Sequence, residues 1–440
     1  MRSGRRNTEL GLILFAGLLI TGAYVLAALG KDASIPANIG PFLGFIVGLL
    51  LVAHLVNRRF APDADPVLLP LAGLLNGIGY VFIARVNEQL AWQQAIWTAV
   101  GIGLYCATLV VIRRPRDLDA YRWTFAFIGM GLLLLPLVPG VGREINGARI
   151  WVRIGGLGFQ PGEFAKIALA IFFASYLVEK RELLSMSTWR VGPFMLPDPK
   201  HLGPVLLAWG LSLVVMTLQK DLGSSLLFFT LFIVMLWVAT QRTSYLALGA
   251  GLFAMGAYAA WRSFGHVQDR VQIWLDPWKD PKDTGYQIVQ AAFAMAYGGV
   301  TGTGLGLSGR IGIPEAENDF IFAVIAQELG LLGATAVLVI FLLLVGSGLR
   351  IAVRAENPFD KLLATGLTAL LGVQAFIIIA GVTRLLPLTG VALPFVSYGG
   401  SSLVANYVLL ALLVRMSDQG ARGRAVAARQ LEKAGGGAVA

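Results

Sequence analysis

Charge is scarce in this sequence. Charged side chains make up 14% of its 440 residues and hydrophobic ones 56%, whereas soluble domains carry about 25% charge. A soluble domain of ordinary size is thereby excluded, and the composition is that of a polytopic membrane protein. Cysteine is reduced to Cys106, inside the apolar run GLYCATLV. No disulfide can form within one chain, and a small core residue is expected there. The three histidines are scattered without ligand spacing, and no metal-binding pattern or nucleophilic serine or cysteine arrangement stands out. The glycine-rich run GGVTGTGLGLSG follows no strand, so neither a Rossmann nor a P-loop reading fits; a flexible loop or re-entrant turn is expected. A convincing internal repeat is missing, which disfavours transporter folds. A cleavable signal-peptide pattern is missing too. Arg2, Arg5 and Arg6 precede an apolar run from Leu10 to Leu29, which reads as a permanent first helix.

Apolar runs of span length are what the sequence has in quantity. They place helices at about 10–29, 40–57, 67–85, 91–112, 122–139, 162–179, 203–219, 222–239, 243–261, 319–346, 361–383 and 396–415, an all-α fold of about twelve spans. Basic residues alternate with them. Arg58 and Arg59, then Arg113, Arg114 and Arg116, then Lys180, Arg181, Arg190 and Lys200, then Arg242, then Arg350, Arg354 and Lys361 fall in every second loop, and Arg415, Arg422, Arg424, Arg429 and Lys433 follow the last span. Both termini are therefore expected in the cytoplasm of a multi-pass plasma-membrane protein. The net charge of +10 belongs to this bias, and no nucleic-acid partner is implied.

One long polar stretch, His266 to Phe320, interrupts the apolar pattern and is expected outside. It carries Asp276, Asp280, Asp283, Glu315, Glu317 and Asp319 among Arg270, Lys279, Lys282 and Arg310. A carboxylate beside proline and flanked by tryptophan, as in WLDPWKDPKD, is partly desolvated and suits a general base. Chemistry alone does not choose among Asp276, Asp280 and Asp283. Arg143, Arg149 and Arg153 in the preceding outer loop also oppose the charge bias, and fit either an anionic ligand or pairing with nearby carboxylates. Pro161 can open a helix, which puts Glu163 and Lys166 on one face of its first turn, as a structural pair or as a polar floor for a headgroup. Lys220 and Asp221 interrupt two apolar runs as a tight turn. The segment TRLLPLTGVALPFVSYGGSSL allows close backbone approach, to a ligand or to a neighbouring helix.

These segments, in order, resemble a known family. NGA–W, FQP–EFAK, KDLG, DPxxDPxxTGYQxxQ, PE–xDFIFAVIAxELG and P–TG–LPFVSYGGSS resemble the SEDS family (shape, elongation, division and sporulation), membrane peptidoglycan polymerases that include RodA and FtsW. The likeness covers about 67–415, and AGVTRLLPLTG and QKDLG look closer to actinobacterial RodA. It implies a ten-helix core at 67–415 with a large extracellular loop at 262–318, a two-helix addition at 1–66, and a basic tail at 416–440 expected to be disordered or to lie on membrane lipids. It implies polymerisation of lipid II into β-1,4 glycan strands during elongation, with a class B penicillin-binding protein as partner; an FtsW-like division polymerase and a lipid II flippase are the alternatives. The resemblance makes Asp280 the catalytic base. It points to Arg149, Trp151, Gln160, Glu163, Lys166, Lys220, Asp221, Tyr286, Gln287, Gln290, Glu315, Asp319, Ser397, Tyr398, Gly399, Gly400 and Ser401 as substrate-binding residues. No cofactor is called for, although a divalent cation (Mg or Mn) stays open. The chain departs from the family at Gly162 (usually Ser), Lys220 (Pro), Ser224 (Thr), Ile150 (Arg, here at 149) and Gln327 (Glu).

Overall fold

The apolar runs become helices, and how apolar each is around its circumference sets its depth in the bundle. The computed structural model describes residues 2–33, 39–145, 148–154, 157–185, 189–191, 194–196, 210, 218–309 and 312–436. The long helices are α1 (Arg2–Asp32), α2 (Ile39–Phe60), α3 (Leu68–Val86), α4 (Glu88–Val111), α5 (Arg122–Leu134) and α6 (Pro161–Glu179). A short α7 (Arg181–Ser185) follows, then α8 (Leu222–Thr240), α9 (Ser244–Ser263), α10 (Gly265–Leu275), α11 (Tyr286–Gly298), α12 (Ile321–Arg354), α13 (Pro358–Val382) and α14 (Gly400–Gly436). Among the described residues nine helical segments are long and apolar enough to cross a membrane. Helices α2 and α9 occupy two further segments expected to span. The expected span at 203–219 lies almost wholly outside the described residues.

Helix α6 sits at the centre and is buried on every side from Ala165 to Leu177. It packs against α5, α13 and α8. Caps fix several helix starts: Asn87 accepts from the Gln89 and Leu90 amides before α4, and Asn357 from Phe359 before α13, where Pro358 takes the first helical position. Helix α1 lies along α3 and α2, with a buried polar group between them. Glu9 accepts from Arg6 at 2.5 Å and sits 2.7 Å from His54 Nδ1, and Asn57 links it to Tyr105 at 2.7 Å.

Three features go beyond the sequence reading. The segment before α6 is a small antiparallel sheet, β1 (Gly142–Ile145), β2 (Ala148–Ile154) and β3 (Leu157–Phe159), in that order; β4 (Trp189–Val191) and β5 (Phe194–Leu196) form a second hairpin. Strand alternation in Arg-Ile-Trp-Val-Arg-Ile is the cause. The glycine-rich run, expected as a flexible loop or a re-entrant turn, is a packed turn. Helix α12 breaks at Gly330 (φ 67°), and the backbone groups freed there pair with the turn: Leu331 and Leu332 donate to Gly299 and Val300, and Thr303 and Gly304 donate to Gln327 and Glu328. Buried Glu328 accepts from the Gly306 amide at 2.9 Å and Ser308 at 2.6 Å, and Arg85 reaches it at 3.2 Å. The tail, expected to be disordered or to lie on membrane lipids, is helical through Gly436, because ARGRAVAARQLEKA is made almost entirely of strong helix formers.

Candidate active site

Helix α10 ends at Leu275, and Asp276, as the cap of a 3-10 turn at Pro277–Lys279, accepts from the Trp278 amide at 3.2 Å. Asp280 follows, half-buried. Its Oδ2 accepts from the Thr284 hydroxyl at 3.2 Å and the Thr284 amide at 3.4 Å. Among the described residues Oδ1 takes no hydrogen bond. Both Asp276 and Asp280 line a cleft of about 290 Å³, with Asp269, Gln272, Lys279 and Thr284 on its walls. Asp283 is exposed and does not line the cleft; its carbonyl accepts from the Tyr286 amide that opens α11. The geometry thus sets Asp283 apart, outside the cleft, and leaves Asp276 and Asp280 alike: each lines the cleft with one carboxylate oxygen tied to its own turn and the other without a described hydrogen bond.

Asp280 is held toward the rest of the site through the loop between α13 and α14. Trp274 Nε1 donates to the Arg384 carbonyl at 3.0 Å, and Arg384 Nη2 donates back to the Trp274 carbonyl at 3.2 Å. Arg270 Nη1 donates to the carbonyls of Leu388 at 3.3 Å and Thr389 at 3.0 Å. The same loop takes the Pro314–Asp319 turn. Tyr398 N donates to the Glu317 carbonyl at 2.8 Å, and the Ser397 hydroxyl to the Asn318 carbonyl at 2.5 Å. Glu315 accepts from Asn318 at 2.6 Å, and Gln287 donates to the Pro314 carbonyl at 3.3 Å. Gln290 faces Gly312, and Tyr286, four residues earlier, shares its side of α11. Burial pushes the Asp319 carboxyl up to about 6; Arg270 opposes the shift and Glu315 adds to it.

Beneath the loop, Pro161 opens α6 as expected, and Glu163 and Lys166 pair at 2.9 Å, each about 4% exposed. Lys166 also donates to Gln374 Oε1 at 3.1 Å, and Gln374 Nε2 donates to the Ala392 carbonyl at 2.8 Å. Ser402 joins Gln374 to Asn406 at 3.5 and 3.4 Å, and the Gln160 amide donates to Ser401 at 2.9 Å. Gln374, Ser402 and Asn406 were missed in the sequence. A lone glutamine in the apolar run LLGVQAFIII was the available signal, since polar groups at membrane depth are costly unless partnered.

Other expected residues divide between one face of β2 and structural places. On β2, Arg149, Trp151 and Arg153 alternate onto one face, and Arg143 is paired across from Trp151. The Arg149 amide donates to the Gln219 carbonyl at 3.1 Å, which brings this cationic face beside Lys220. Lys220, at φ 59°, is exposed and 3.8 Å from Glu144. Asp221 is the cap of α8, accepting from Ser224 at 3.0 Å. Gly400 lies against the Trp97 ring, where a Cβ would come within 2.2 Å, and one at Gly399 would meet Ala392 at 3.3 Å. Gly400 thus lets the chain pass close to Trp97. The Tyr398 hydroxyl donates to Gln93. Arg310 lies outside the described residues. No described hydrogen bond or ion pair joins Asp280 directly to the Glu163–Lys166 pair; the 384–402 loop links them.

The model of the cell cycle protein family of FtsW, RodA and SpoVE matches residues 78–421. The chain belongs to this family. It is 44% identical over 429 residues to the peptidoglycan glycosyltransferase RodA of Mycobacterium tuberculosis (strain H37Rv), covering 95% of this chain and 91% of that protein. A probable peptidoglycan glycosyltransferase FtsW of Geobacter metallireducens is 36% identical, over 83% of this chain and 97% of that one. Among solved structures, a chain of a peptidoglycan synthase complex, described as coordinating polymerization and crosslinking, superposes with TM-score 0.68 at 28% identity, covering 81% of this chain and 98% of that one. The rod-shape-determining protein RodA of Thermus thermophilus gives TM-score 0.59 at 27% identity, over 80% and 96%.

Proposed function

We propose that Asp280 is the general base of a glycan-polymerising reaction. The chain is a peptidoglycan glycosyltransferase of the RodA type, polymerising lipid II during cell elongation. Asp280 takes the proton from the 4-hydroxyl of the acceptor GlcNAc. That oxygen attacks C1 of the donor MurNAc with inversion, and the bond from C1 to the pyrophosphate oxygen breaks. Undecaprenyl pyrophosphate leaves, and a β-1,4 link has formed. The assignment is supported by a cleft-lining carboxylate whose Oδ2 is fixed by Thr284 and whose Oδ1 is free; Asp276 shares that geometry, and the position of Asp280 in the second DP, just before GYQ, favours it. Negative charge on the leaving group calls for fixed cations. Lys166, Lys220 and Arg149 fill that role, the last supported by the face it shares with Trp151 and Arg153.

The enzyme spans the membrane about twelve times, with residues 1–66 added to the core and both termini inside. Support for a common face comes from the turn after α2, which touches both ends of the chain: Arg5 donates to the Asp63 carbonyl, Asp63 N to Asp418 and Asp65 N to Ser417. A class B penicillin-binding protein supplies the transpeptidase. Its membrane helix packs on the outer wall of the bundle and its ectodomain touches the 266–320 stretch.

The test is polymerisation of purified lipid II by the reconstituted protein with its partner. Wild type and Asp276→Asn make polymer, and a folded Asp280→Asn makes none. Equal polymer from all three removes the assignment.

A further inference from the structure

The two ends of the chain meet at a basic pocket far from the chemistry described above. Its walls are the start of α1, the turn at 61–66, the last turns of α12 and the distal half of α14, and it encloses about 190 Å³. Arg5, Arg350, Arg354 and Arg424 line it, with Asp65 as the only lining carboxylate. Neighbouring arginines are neutralised. Arg415 donates to the carbonyls of Phe60, Leu109 and Ile112 and faces Asp418, and Arg422 pairs with Asp418 at 2.9 Å and Asp63 at 3.6 Å. None of the four lining arginines is in an ion pair with a described carboxylate. Two are nonetheless fixed in place: Arg5 donates to the Asp63 carbonyl at 2.9 Å and Arg424 to the Arg354 carbonyl at 2.9 Å. Like charges converging on a concave site focus a strong potential for an anion. The Ser417 hydroxyl accepts from Asp65 N at 2.9 Å, which leaves its proton free for an acceptor in the pocket. Beside the pocket α12 exposes an apolar stripe at helical spacing, with Leu342 70%, Leu349 45% and Val353 75% exposed.

We propose that this pocket binds the phosphate of an anionic membrane phospholipid, its acyl chains lying along the α12 stripe. Guanidinium groups match phosphate oxygens in pairs, and basic pockets between helix ends at a membrane surface take such headgroups. The apolar stripe argues for a lipid over a free phosphate. The site is independent of the glycosyltransferase reading.

The test uses the full chain in neutral detergent, with its unfolding temperature followed while short-chain phosphatidylglycerol, phosphatidylcholine of the same chain length, or inorganic phosphate is added. Phosphatidylglycerol is expected to stabilise saturably and phosphatidylcholine not to. In R350Q/R354Q, whose side chains make no described hydrogen bond, the apparent Kd rises about ten-fold or more. In R58Q/R59Q, which removes equal charge from the exposed end of α2, it stays within about two-fold. Without lipid, R350Q/R354Q is at least as stable as wild type, because like-charge repulsion is relieved. Equal loss in both double variants means diffuse surface attraction and overturns the site. Stabilisation by inorganic phosphate alone, lost in R350Q/R354Q, overturns the lipid assignment.

Discussion

Trp274 and Arg384 exchange hydrogen bonds in both directions, indole to carbonyl at 3.0 Å and guanidinium to carbonyl at 3.2 Å. This clasp fastens the end of α10 to the loop that also holds Ser397 and Tyr398. Arg384 sits at φ 61°, a backbone position a non-glycine residue adopts only when its surroundings hold it there. If Asp280 is the base proposed above, the clasp is placed to position it. Trp274→Phe keeps the ring and removes one donor, worth about 1 kcal/mol, so polymerisation should fall about five-fold. The chain should still fold and the pH profile should keep its shape. Wild-type turnover in Trp274→Phe removes the positioning role.

The Glu163–Lys166 pair is enclosed by protein, and removing one partner leaves an uncompensated charge there. Lys166→Met or Glu163→Gln alone should cost about 3–5 kcal/mol of stability, and the double variant should recover much of that loss. On the proposed role of Lys166 at the leaving group, polymerisation should not recover with it. Unfolding temperatures in detergent and lipid II turnover on the same three variants check both halves. A double variant that regains activity assigns the pair to structure alone.

Local rules made the spans, the proline at the head of α6 and the Glu163–Lys166 pair readable in the sequence, since residues three apart in a first helical turn must share a face. The partner of Lys166 was not readable. Gln374 is 208 positions away, and only the packing of α6 against α13 brings it near. The small sheet was hidden by context: a seven-residue alternating stretch among apolar runs looks like a loop. The glycine-rich turn needed knowledge of the break at Gly330, because its order comes from backbone groups that a continuous helix would have consumed. Asp280 stood out among three aspartates by resemblance first. The cleft removes Asp283 from the choice but not Asp276, which lines it with a free oxygen of its own.

Asp319 gives a pH signature. Burial raises its carboxyl to about 6, so folding favours the protonated form. Its contribution to stability is fully present below the usual carboxylate range and is lost as pH rises through about 6. Asp319→Asn mimics the protonated state and should raise the unfolding temperature at pH 7.5, with little difference from wild type near pH 4. Parallel unfolding curves at both pH values contradict the assignment.

Gly285 and Gly162 make opposite predictions from the same substitution. A Cβ at Gly285 would lie 2.2 Å from the Pro277 carbonyl oxygen and 2.9 Å from that of Asp280. Both are backbone atoms of the turn that presents Asp280, and the Gly285 amide donates to the second at 3.0 Å. Neither can move aside as a flexible side chain would, so Gly285→Ala must displace the turn. A shift of about 1 Å at a catalytic base costs on the order of a hundred-fold in rate. Gly162, in the first turn of α6, has nothing within 4 Å of its would-be Cβ. Gly162→Ala should leave turnover unchanged and stabilise the chain by about 0.5–1 kcal/mol. Steady-state lipid II polymerisation by both variants, at matched amounts of folded protein, distinguishes them. Full activity in Gly285→Ala would mean that the turn tolerates displacement and that Asp280 is not held to a required position.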